Sequence, residues 1–84
     1  MKNASITIFK DGENIFNYIS DAIPNVGDFV EIPIEYDVAL GQDRFESKKS
    51  KLPGKFCVVE RTFICDKNRV ALTVVSDETK EFLL

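Results

Sequence analysis

The sequence predicts an all-β fold: a small five-stranded antiparallel barrel with a long loop between strands 3 and 4. Two observations carry this. Apolar and polar residues alternate with a period of two in five separate segments. Turn residues stand between the segments: Asp11-Gly12, then Pro24 with Gly27, then Pro53-Gly54. Five short strands joined mostly by hairpins close best as a barrel, which removes exposed sheet edges. The 84 residues make one domain, residues 1–84.

Strand 1 is Ser5 to Lys10, alternating and rich in β-branched residues. Asp11-Gly12 is a two-residue hairpin signal, because glycine accepts positive φ freely. Strand 2 is Asn14 to Ser20. A regular register then sets Lys10 opposite Glu13, Ile8 opposite Ile15, Ile6 opposite Asn17 and Ala4 opposite Ile19, all on the core face. Phe9, Phe16 and Tyr18 fall on the opposite side. Asp21 to Gly27 reads as a loop, and Asp28 to Tyr36 as strand 3, with Val30, Ile32, Ile34 and Tyr36 inward. Pro33 cannot donate to a ladder, so this strand, or this half of it, lies at an edge. Asp37 to Gly54 has no clear period and reads as the long loop. Lys55 to Cys65 is strand 4 and Arg69 to Ser76 strand 5, joined by a tight connection at Asp66 to Asn68. Arg61 then falls on the apolar face opposite Val74, which calls for a bulge or an open barrel mouth. The tail, Asp77 to Leu84, reads as a helical turn ending Phe82-Leu83-Leu84, able to fold over the aromatic face of the first hairpin.

Ile23-Pro24-Asn25-Val26-Gly27-Asp28-Phe29-Val30-Glu31-Ile32, then Gly54-Lys55-Phe56-Cys57-Val58-Val59-Glu60-Arg61-Thr62-Phe63, then Val70-Ala71-Leu72-Thr73-Val74, together resemble the SH3-like small barrels of phage and bacterial proteins. The resemblance spans most of residues 5–75. It implies the barrel fold and a phage or mobile-element setting. It carries over no catalytic residue.

Charge is segregated along the chain. Residues 11 to 43 hold eight acids and no base, whereas residues 44 to 55 hold Arg44, Lys48, Lys49, Lys51 and Lys55 against Glu46 alone. A domain this small is expected to display that asymmetry as a field directed at a charged partner. Histidine is absent, which removes the usual general base and the commonest metal ligand. No enzyme activity, cofactor or metal is expected. Cys57 and Cys65, about 26 Å apart along an extended strand, are expected as buried free thiols rather than a disulfide. No apolar run reaches the length of a membrane span, and Met1-Lys2-Asn3-Ala4-Ser5 holds no signal-peptide core, so a cytoplasmic location is expected.

These features point to a non-enzymatic protein-interaction module, of which a phage-encoded inhibitor of a host defence protein is one concrete form. Its expected partner surface is Phe9, Phe16 and Tyr18 with the acids Glu31, Glu35 and Asp37. A homodimer through the aromatic face is a further option. The alternative is single-stranded nucleic acid held by Arg44, Phe45, Lys48, Lys49, Lys51 and Lys55, with Phe45 stacking on a base. A sequence pI near 4.8 counts against it. A third reading places a small ligand at the barrel mouth around Arg61. Against all three stands the plainer one, in which the charges are a solvated surface.

Overall fold

A computed structural model describes residues 3–65 and 68–77. Among the described residues the fold is all-β, with seven strands rather than five. They are β1 (Ala4–Lys10), β2 (Glu13–Ser20), β3 (Phe29–Ile32), β4 (Glu35–Gly41), β5 (Arg44–Lys49), β6 (Gly54–Ile64) and β7 (Arg69–Ser76). Five of them form one sheet in the order β2-β1-β7-β6-β3, and β4 with β5 forms a separate two-stranded sheet. The large sheet is mixed. β1 and β7 run parallel, Ser5 beside Arg69 and Phe9 beside Thr73, and the other neighbours are antiparallel. The sheet curls into a half-barrel, so the expected closed antiparallel barrel is corrected. Its edges, β2 and β3, remain unpaired with each other.

The first turn forms as its residues dictate. Asp11 and Gly12 have φ of 54° and 78°, the pair of positive angles that a two-residue hairpin turn requires. Lys10 pairs with Glu13 and Phe9 with Asn14, but Ile8 then pairs with Phe16, leaving Ile15 as an extra residue. This β-bulge shifts every later pairing by one. Ile6 faces Tyr18 and Ala4 faces Ser20, instead of Asn17 and Ile19. Because side chains alternate strictly, the shift exchanges the faces of β2. Ile15 is buried, Phe16 and Tyr18 pack against the core, and Ile19, expected inside, is 70% exposed.

The expected third strand breaks in two. β3 ends at Ile32, Pro33 and Ile34 interrupt the ladder, and β4 begins at Glu35. β3 is a sheet edge, where a following proline costs no ladder bond. Ile34 lies in the kink and is exposed rather than inward. The segment read as a long loop is mostly the β4–β5 hairpin, closed by Gln42 and Asp43, with Asp43 at φ 62°. β6 also carries a bulge, between Val58 and Glu60, as the position of Arg61 called for. It places Arg61 opposite Leu72 rather than Val74.

The core lies in the concave face of the half-barrel. Ile6, Ile8, Val58, Leu72 and Val74 are almost wholly buried, joined by Ala4, Ile15, Ile32, Phe56 and Val70. No residue of β4 or β5 belongs to this cluster. Of the two free cysteines, Cys57 is buried as expected, whereas Cys65 is exposed. The tail residues 78–84, read as a helical turn over the first hairpin, and residues 66–67 of the last turn lie outside the described residues. Among the described residues no helix is long and apolar enough to cross a membrane.

Candidate interaction surface

The β4–β5 hairpin is an arm. Its strands pair closely with each other, from Glu35 opposite Lys49 to Gly41 opposite Arg44, and scarcely touch the large sheet. It rises from the β3–β6 ribbon, where Ile32 pairs with Gly54 and the Ser50 amide donates to the Ile34 carbonyl at 2.9 Å. Its base rests on β2. The Tyr36 ring meets the Phe16 ring edge-on at 5.2 Å, and Lys51 forms an ion pair with Glu13. Beyond that base the arm stands in solvent. All six residues of β5 are exposed, and near the tip Leu40 and Phe45 are 56% and 69% exposed.

The fold brings the segregated charges together. The acidic β4 pairs with the basic β5, so Glu35 faces Lys49. Glu31 of β3 faces Lys55 of β6, and Lys51 holds Glu13. Lys55 Nζ also sits 4.6 Å above the Phe29 ring. Three of the five bases in the 44–55 stretch therefore lie against acids of the 11–43 stretch. Bases of one block thus stand beside acids of the other, Lys51 and Glu13 as an ion pair, and opposite charges facing each other across a ladder favour the observed pairing. The two remaining bases, Arg44 and Lys48, share one face of the arm with Glu46, while Phe45, Ser47 and Lys49 share the other with Glu35 and Asp37. Pleating thus separates Phe45 from Arg44 and Lys48.

The aromatic trio of the first hairpin is divided as well. Phe9 lies on the convex side of the sheet, whereas the bulge at Ile15 turns Phe16 and Tyr18 to the concave side. Their rings stand 6.1 Å apart. Burial raises the Tyr18 pKa above its ordinary value of 10.0. A hydroxyl whose folded pKa is raised contributes stability that is complete below the unfolded pKa and is lost as pH climbs through the folded one. Tyr18→Phe is therefore expected to make urea stability fall less steeply above about pH 10 than in the parent chain. Equal alkaline slopes in both chains would remove Tyr18 as a cause.

Arg61 serves the loop between β2 and β3. Its guanidinium donates to the Pro24 carbonyl at 3.2 Å and to Asn25 Oδ1 at 2.5 Å, and lies 4.9 Å over the Phe63 ring. The same loop is closed by Asp28, whose carboxylate accepts from the Asn25 amide at 2.8 Å, and by Gly27 at φ 98°. Arg61→Ala is expected to cost about 1.5 kcal/mol, the worth of hydrogen bonds from a charged donor. Faster amide exchange at residues 25–28 in that variant would accompany the loss, and unchanged exchange would contradict the bracing role.

Ile19 and Ile34, both expected inward, are exposed instead, at 70% and 72%. Pro33 was the available signal for Ile34, and nothing in β2 signalled the bulge that exposes Ile19. Among the described residues no three of His, Cys, Asp and Glu are grouped as metal ligands. No protein-family model, curated protein or solved structure matches the chain.

Proposed function

We propose that the protein is a non-enzymatic protein-binding module whose contact element is the β4–β5 arm. The supporting observation is that the arm is ordered without serving the core. Fixing each residue costs about 1–2 kcal/mol of backbone entropy, and a lone two-stranded hairpin is at best marginally stable in water. The arm contributes nothing to the buried cluster and holds Leu40 and Phe45 in solvent near its tip. Rigid apolar side chains on a projecting element are suited to fill a pocket on another protein, with the surrounding charges as a polar rim. A small phage-encoded inhibitor of a host defence protein is one form such a module takes.

Single-stranded nucleic acid is the competing reading, favoured by Phe45 next to Arg44. It is weakened by the acids interleaved on both faces of the arm and by the separation of Phe45 from Arg44 and Lys48. The test is affinity capture from host-cell lysate, with the parent chain and a chain whose residues 37–47 are replaced by Asn-Gly, beside a salt titration against an oligothymidylate. A protein retained by the parent and lost both with the shortened arm and with Leu40 and Phe45 replaced by serine supports the proposal. Oligonucleotide binding with a steep salt slope, unaccompanied by such a protein, overturns it.

A further inference from the structure

We infer that the gap between β2 and the β3–β4 side of the half-barrel is a receiving site for an extended segment of a partner protein. That segment is basic, apolar at alternate residues, and adds as the strand that closes the barrel. The surface is separate from the arm's tip, and the inference stands whether or not Leu40 and Phe45 bind anything.

Two free edges face one gap. Among the described residues β2 pairs only with β1, β3 only with β6 and β4 only with β5, so the outer edge of each meets no other described strand. Residues from both sides line the same clefts. Phe16, Tyr18 and Ile19 of β2 share a cleft of about 570 Å³ with Tyr36, Asp37 and Val38 of β4. A second cleft of about 360 Å³ joins Phe16 and Tyr18 to Val30, Glu31 and Ile32 of β3. The Cα traces of β2 and β4 stay largely more than 8 Å apart. Directly paired strands lie about 4.8 Å apart, and strands flanking a third lie at about twice that. That separation is too wide for the edges to pair with each other, and beyond the Phe16–Tyr36 contact the two clefts leave both edges open to an added strand. Main-chain hydrogen bonds to both edges would hold it, and Phe16, Tyr18 and Val38 would receive alternate side chains.

Charge selects the occupant. The long stretch of the gap carries Glu31 and Asp37 and no base. Lys49 and Lys51 lie only at the end near Asn14, where Lys51 is held by Glu13. A basic segment matches this lining. A second copy joined gap to gap would set Glu31 and Asp37 against the same acids, which disfavours self-association.

The probe is an acetylated, amidated peptide of about ten residues alternating lysine and valine. Its controls are the glutamate–valine counterpart and a lysine–valine peptide N-methylated at alternate residues. Amide hydrogen exchange of the full chain is followed with each. The lysine–valine peptide is expected to slow exchange on both β2 and β4, and to bind about tenfold or more tighter than the glutamate peptide by charge alone. N-methylation is expected to abolish the protection, and Asp37→Lys to remove most of the preference for the basic peptide while leaving the fold intact. Protection confined to one edge, or equal binding of the N-methylated peptide, overturns the inference. So does a concentration-dependent dimer, seen by sedimentation, whose gap amides are already protected without peptide.

Discussion

Replacing Phe16 with serine is expected to lower the thermal midpoint by about 10–20 °C, because a loss of about 2.5 kcal/mol is large in a domain of this length. The ring is half-buried, packs against the core from β2 and supports Tyr36 at the base of the arm. Truncating it removes apolar contact on both sides and leaves a hydroxyl facing Ile8 and Ile32 across the cleft. The prediction follows from the bulge at Ile15. In a regular hairpin Phe16 would point away from the core, and serine there would cost within about 0.5 kcal/mol. A melting curve of the single variant separates the two registers, and a midpoint within a degree or two of the parent would contradict the bulged one.

Replacing Leu40 and Phe45 together with serine is expected to have the opposite signature. Both side chains are largely exposed and neither meets the buried cluster, so stability should change by less than about 0.5 kcal/mol. Affinity for the captured partner should fall about 100-fold or more, as when apolar anchors at the centre of an interface are removed. Calorimetric titration of parent and variant measures the change. A partner bound equally well by both would place the contact elsewhere, with the gap beside β2 as the next surface to test.

The parts of the fold legible in the sequence were those set by neighbouring residues. Asp11-Gly12 announced its turn, Pro24 with Gly27 its loop, and the alternation of Ile6 and Ile8 or of Leu72 and Val74 its buried face. What could not be read depended on partners far along the chain. Nothing in Asn14-Ile15-Phe16 distinguishes a bulge from regular pairing, yet one extra residue exchanges the faces of β2 and with them the meaning of Phe16 and Tyr18. Period-two patterning shows that β1 and β7 are strands and is silent on their lying side by side in parallel. The arm escaped notice because its alternation is written mainly in charged and small residues, so the apolar signal of a half-buried strand is missing from Arg44 to Lys49. The charge asymmetry was plain in the sequence. Its sense was reversed by pairing, since Glu35 beside Lys49, Glu31 beside Lys55 and Glu13 beside Lys51 turn two opposed blocks into mutual neighbours. For the site, the sequence supplied Asp37 and Phe45 but grouped them with residues that the pleat and the bulge place on other faces.

On the proposed reading the chain orders the β4–β5 arm for contact and not for folding. The most direct test is urea unfolding of the chain in which Asn-Gly replaces residues 37–47, joining Tyr36 to Lys48 by a two-residue turn that keeps the Phe16–Tyr36 contact. The expected result is a single cooperative transition with its midpoint within about 10% of the parent and a slightly smaller slope, as follows from losing surface but no core. A midpoint lowered by a third or more, or a chain that no longer unfolds cooperatively, would mean that the arm holds the half-barrel together and would contradict the claim.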